Sequence, residues 1–208
     1  MKLGEIKIQA LSLMYPSATP SFDETQDGEI NRFLLRLKGD SNLRPVLEGA
    51  VGSINRCFSY LESHGISPKR QATVRGNDIE PMGNKAIIVS PNDMYACLGV
   101  DAVINGCTYP CAFQVVNGKI IVDVFAKEYR VVYRAKIDRV TAATPEETEI
   151  PLLDGVCEII PYFVKGEMYT DEDREEAAQS MERFKSRAEH LSVPAMEEMT
   201  TVYAVEWL

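Results

Sequence analysis

The sequence predicts an α+β fold in which helices from both ends of the chain form a bundle and a small antiparallel β module is inserted between them. Three observations carry this expectation. Apolar residues recur at spacings of three and four through residues 1–66 and again through 149–192, which is the pattern of one helix face. Between these stretches, over 67–148, the period shortens to two, as in strands buried on one side. Inside that region Asn117-Gly118 stands between alternating apolar residues, and this pair supplies the two positive-φ positions of a tight hairpin turn. The expected organisation is N-terminal bundle helices over 1–66 and a sandwich- or barrel-like β insertion over 67–148. A C-terminal helical hairpin over 149–192 then completes the bundle, and 193–208 form an extended tail that binds a partner.

The first helix is expected over Glu5 to Met14, where Ile6, Ala10, Leu13 and Met14 give a modest stripe that Tyr15-Pro16 closes. Residues 16–27 are rich in Ser, Thr, Pro and Asp and read as a loop. Asp27 is placed to cap a second helix carrying Ile30, Phe33, Leu34 and Leu37, which stops near Gly39. Pro45 suits the first turn of a third, with a stripe of Val46, Leu47, Ala50, Val51, Ile54, Cys57, Phe58 and Leu61 ending at His64-Gly65. Gly49 and Gly52 weaken this helix slightly and permit a neighbour to come close.

Strands are expected at Lys85–Val89 and Tyr95–Val100, and on both sides of Asn117-Gly118. A two-residue turn pairs Val116 with Lys119, Val115 with Ile120 and Phe113 with Val122. Cys111, Phe113, Val115, Ile120, Val122 and Val124 then share one face. From Arg130 to Ile137 the alternation puts Val131, Tyr133, Ala135 and Ile137 inside, leaving Arg130, Val132, Arg134 and Lys136 outside.

After the β region an apolar arm runs from Pro151 to Tyr169, followed by an acidic break and a second, amphipathic arm with Ala177, Met181, Phe184, Ala188 and Leu191. Pro161 either kinks the first arm or marks its beginning after a short turn. Val193-Pro194 ends the second arm. The last residues, with Val202, Tyr203, Val205, Trp207 and Leu208, are too apolar for a free tail and call for a partner surface.

Charge narrows the function. Of 31 acidic and 22 basic residues, 16 acids and 5 bases fall from Glu146 onward, a local balance of −11. Such acidity argues against that half gripping nucleic acid, which needs clustered Lys and Arg. It still allows a surface that DNA passes without sticking. No apolar run approaches the ~20 residues that span a bilayer, and the first residues lack a signal peptide's apolar core. Cytoplasmic synthesis and five reduced cysteines are therefore expected.

Reaction chemistry is hard to find. Cys97, Cys107 and Cys111 lack the second pair or histidines of a zinc site, so they read as small buried hydrophobes, as do Cys57 and Cys157. His64 and His190 lie at helix ends in polar company and suggest no triad. No phosphate-binding glycine motif occurs. Asp171-Glu172-Asp173 could hold a divalent cation, but it sits at a helix start, where acids complement the dipole. Arg130, Arg134 and Lys136 form a basic outer face that either touches a phosphate backbone or an acidic protein surface or is simply solvated. These features predict no enzyme, no cofactor and no metal.

The hairpin carries a resemblance. Leu152, Asp154, Ile160, Pro161, Tyr162, Phe163, Glu167, Tyr169, Glu172 and Asp173, then Ala177, Ala178 and Phe184, follow the order of a pattern found after a β insertion in one family. Over residues 151–191 the chain resembles the head–tail adaptor (connector) proteins of tailed bacteriophages. The resemblance implies a homo-oligomeric ring of 12 subunits in the virion neck. That ring binds beneath the portal protein, lines the DNA channel with only transient, non-specific proximity to DNA, and presents a platform to the tail or a tail-completion protein, with no membrane involved. Ile160, Pro161, Phe163, Tyr169 and Phe184 would then be bundle and ring scaffold. By position alone, Val202, Tyr203, Val205, Trp207 and Leu208 match the segment that docks on the portal in related adaptors. The alternative is a soluble small-ligand or hydrolytic domain with its site where sheet meets helices, using Asp171, Asp173 or His64.

Overall fold

The computed structural model describes residues 1–16 and 27–192. They form an α+β protein of two compact units, a helical unit from 1–66 and 138–192 and a β unit from Ser67 to Ile137.

The helical unit contains α1 (Leu3–Met14), α2 (Asp27–Gly39), α3 (Arg44–Ser63), α4 (Asp154–Cys157), α5 (Ile160–Met168) and α6 (Arg174–Ser192). Its axis is α5, which packs against α1, α3 and α6. The faint periodicity of α1 has a simple cause. Leu3, Ile6, Lys7, Ile8, Ala10, Leu11 and Met14 are all buried, so the helix is covered on most sides and shows no narrow stripe. In α3, Pro45 occupies the first turn, where its missing N–H would have had no helical partner. The same reasoning settles the two alternatives for Pro161. It begins α5 rather than kinking a longer helix, and the stretch before it is an extended Leu153 followed by the single turn of α4. Gly166 permits a close approach between α5 and α6. A Cβ there would lie 3.1 Å from Met181 Cβ and 3.2 Å from the Ala177 carbonyl oxygen, so α5 and α6 touch almost backbone to backbone.

The β unit ends at Ile137, eleven residues before the expected border at 148. Residues 138–148 belong with the helices because their polar groups are bonded there. Asn55 donates to the Val140 carbonyl (2.8 Å) and accepts from the Val140 N–H (2.9 Å). Gly4 and Leu3 donate to the carbonyls of Glu146 and Thr148 (both 2.9 Å), which satisfies donors that open α1.

Within the β unit, β1 (Lys69–Arg75), β8 (Glu128–Ala135), β4 (Met94–Ile104) and β5 (Cys107–Pro110) form one antiparallel sheet in that spatial order. β2 (Ile79–Met82), β3 (Lys85–Val89), β7 (Lys119–Val122) and β6 (Phe113–Val116) form the second. Val74, Val100 and Val131 from the first share one core with Ile88, Ile120 and Val122 from the second, so the unit is a sandwich. The hairpin register is the expected one: Val116 faces Lys119, Val115 faces Ile120 and Phe113 faces Val122 across Asn117 and Gly118, both at positive φ. Two members of its inner face depart from expectation. Val115 is 46% and Val124 39% exposed, because β6 is a sheet edge and β7 stops at Val122.

Two polar clusters hold the unit's loops. Partial burial alone would raise the Asp93 carboxyl, but hydrogen bonds from Tyr133 (2.9 Å) and Arg70 outweigh it and hold the group below its ordinary range. Tyr129 is fully buried, and its hydroxyl donates to the Val124 carbonyl (2.6 Å) while accepting from the Ala126 N–H (2.7 Å). Tyr129→Phe leaves both backbone groups without this partner. It should destabilise the β unit by about 1–3 kcal/mol, read as an earlier transition in chemical denaturation. An unchanged transition would show that water replaces the hydroxyl at no cost.

Candidate interaction surfaces

Most of the hairpin residues that carry the resemblance are brought together in packing, turn or capping contacts. Ile160, Pro161 and Phe163 are buried in α5. Phe184 of α6 meets Phe163 edge to face at 5.0 Å between centroids and Tyr60 of α3 at 5.1 Å. Tyr169 closes α5, and its carbonyl accepts from the N–H groups of Glu172 (3.1 Å) and Asp173 (2.9 Å), which shapes the turn into α6. Its half-buried ring lies edge-on to Tyr15 and under the Lys165 ammonium at 5.2 Å.

The polar members are tied in as well. Glu167 accepts from Arg56 Nε at 2.8 and 2.9 Å, joining α5 to α3. The Arg187 guanidinium stacks over the Tyr162 ring at 5.2 Å. Tyr15 donates its hydroxyl to Glu172, and burial together with this bond pushes the phenol up to about 12. Asp173 Oδ1 accepts from the N–H groups of Glu175 and Glu176, both at 3.0 Å, so it caps α6. Sequence reasoning missed Lys165. Although buried, it donates to the Leu13 carbonyl and to Glu176, both at 2.8 Å, and so ties the end of α1 to α5 and α6. Its signal, one lysine among apolar residues of α5, is visible only once the helix start is known.

The reactive candidates are similarly occupied. Burial pushes the Cys57 thiol well up and the Cys157 thiol to about 11, away from the thiolate a nucleophile requires. Cys97 and Cys111 are half-buried and also pushed up by burial. Cys107 departs from the buried reading and is exposed, because it lies on the edge strand β5. His64 stacks on Tyr60 at 3.9 Å, with Nδ1 hydrogen-bonded to the Tyr60 carbonyl oxygen at 2.8 Å. Among the described residues, no group of three His, Cys, Asp or Glu side chains is gathered as a metal would require. No described helix is long and apolar enough to cross a membrane.

The basic residues of β8 share the outward face of its sheet. Arg130 is exposed opposite Asp101. Arg134 is half-buried opposite Lys69 and donates to the Ser67 carbonyl at 3.3 Å. Lys136 follows at the strand's end, exposed. The two units differ in charge. Residues 67–137 carry 9 bases and 6 acids, a balance of +3, so the remaining 13 bases and 25 acids leave −12 on the helical unit and its flanks. Val202, Tyr203, Val205, Trp207 and Leu208 lie outside the described residues.

Neither a protein-family model nor a curated protein sequence matches the chain.

Proposed function

We propose that this chain is a structural head–tail adaptor of a tailed phage neck, a ring subunit that sits beneath the portal, surrounds the DNA channel and joins portal to tail. One observation carries the reading. Most residues of the adaptor-like segment, among them Pro161, Phe163, Glu167, Tyr169, Asp173 and Phe184, serve as helix start, turn, cap, ion pair or core in one hairpin. A segment with those tasks supports a scaffold rather than a reaction. The charge division suits the role, since an acidic helical unit repels the DNA phosphates that slide past it. In this reading, the face with Arg130, Arg134 and Lys136 meets tail protein or DNA, and the C-terminal residues with Tyr203 and Trp207 dock on the portal.

The test is truncation. The full chain should be retained by an immobilised portal ring of its own phage. A chain ending at Pro194 should lose that retention while keeping its circular dichroism and unfolding midpoint. Retention of the shortened chain at full strength would refute the assignment of the tail, and no retention of either chain would refute the adaptor reading.

A further inference from the structure

We propose that the free chain pairs with a second copy of itself through β6, the two Phe113–Val116 strands running antiparallel about a two-fold axis at Gln114. The β unit has four sheet edges, β1, β5, β2 and β6. Three of them carry features that discourage pairing: β1 holds Lys69, Arg70 and Arg75, while β2 holds Pro81 and β5 holds Pro110. β6 reads Phe-Gln-Val-Val, with neither charge nor proline, and its Gln114, Val115 and Val116 are exposed.

The hairpin fixes which backbone groups face outward. Val116 pairs with Lys119 beside the two-residue turn, and the Ala112 carbonyl accepts from the Asp123 N–H at 3.3 Å. Residues 112, 114 and 116 therefore aim their backbone groups at β7, and Phe113 and Val115 aim theirs at the open side. A two-fold pair centred on Gln114 sets Phe113 opposite Val115 of the second copy, and Val115 opposite its Phe113. Those two pairs exchange four N–H···O=C bonds and use every outward group of both strands.

Side chains agree with the same register. An axis perpendicular to the sheet keeps Phe113 and Val115 of both copies on the core side, with Ile120 and Val122, and brings the two Gln114 amides together outside. A one-residue slip would set core-side residues against outer ones. No like charges meet. The register closes on itself, so a second copy meets every one of these groups with residues the strand already carries. Such a two-fold contact is self-complementary and cannot repeat around a ring of one sense, so it is a state of the free chain and does not rest on the adaptor reading.

Cross-linking tests it in the full chain. At the axis the two residues 114 form a non-hydrogen-bonded pair, with Cα atoms about 4.5 Å apart, a distance a disulfide accepts. With Cys107→Ser removing the exposed thiol, Gln114→Cys should give a dimer joined 114 to 114 under mild oxidation, identified by peptide mapping. Val116→Cys in the same background, which does not face itself, should cross-link at least about 10-fold more slowly. The unmodified chain should double in mass between about 1 μM and about 1 mM, and Val115→Lys, with unchanged circular dichroism, should stay monomeric. A monomeric mass at the upper concentration, equal cross-linking from 114 and 116, or a Val115→Lys chain that still pairs would each overturn the proposal.

Discussion

Phe184→Ala should lower the stability of the helical unit by about 3–5 kcal/mol, since removing a buried aromatic side chain loses its transfer free energy and leaves a cavity. Phe184 is fully buried and meets both Phe163 and Tyr60 edge to face, so two aromatic contacts go with it. The size of the loss depends on whether neighbours can close the gap. Here they are constrained, because α6 already rests on Gly166 one turn earlier, with Met181 and Ala177 at contact distance from where a Cβ would stand. A helix pinned at that point cannot slide inward, which places the loss toward the upper end. Phe184→Leu, which keeps most of the volume, should cost less than about 1.5–2 kcal/mol. Urea denaturation of the three chains measures both values. An alanine variant within about 1 kcal/mol of the parent would mean that the aromatic cluster collapses freely and is not the hairpin's anchor.

The parts of the fold visible in the sequence share a physical character. Strands β3, β4, β6, β7 and β8 showed alternation or a turn signal, and three of the four edge strands, β1, β2 and β5, did not. An edge strand buries little, so β1 needs only Val74 and a half-buried Ala72 inside and fills the rest with Lys, Arg, Gln and Thr. β2 and β5 carry prolines that a central strand would reject. β4 was seen only in part, since register shifts near Ala96 and Gly99 break its period of two. The helical hairpin was legible because its face is broad, yet its division at Pro161 required knowing where the backbone turns. The attachment of 138–148 to the helices had no periodic signal at all. It depends on Asn55, Gly4 and Lys7, residues more than 80 positions away. The same limit holds for the candidate surfaces. Arg130 and Arg134 could be placed on one face by alternation, whereas the exposed edge of β6 emerges only from the order of strands in the sheet.

Glu146→Ala is expected to have a comparably large effect, about 3–5 kcal/mol, through an unpaired buried charge rather than a cavity. The Lys7 ammonium lies in α1 with its side chain only 6% exposed, and both Glu146 oxygens accept from it at 2.9 and 3.0 Å. Lys38 of α2 reaches the same carboxylate at 3.2 Å from a more exposed position. Among the described residues Glu146 is the carboxylate hydrogen-bonded to Lys7, so alanine at 146 leaves a buried ammonium without that partner. Desolvation of that cation then goes uncompensated, and the segment 138–150 loses its charged tie to α1. Replacing both partners, as Lys7→Met with Glu146→Leu, removes the buried charge altogether and should recover most of the loss. A double-mutant cycle measured by denaturation separates the two cases. If Glu146→Ala cost no more than a surface pair, under about 1 kcal/mol, the pair would be incidental. The backbone bonds from Leu3 and Gly4 would then suffice to hold the segment. If the double replacement were as unstable as the single, the ion pair would be setting the position of 138–150 against α1, a specificity that apolar contact alone does not supply.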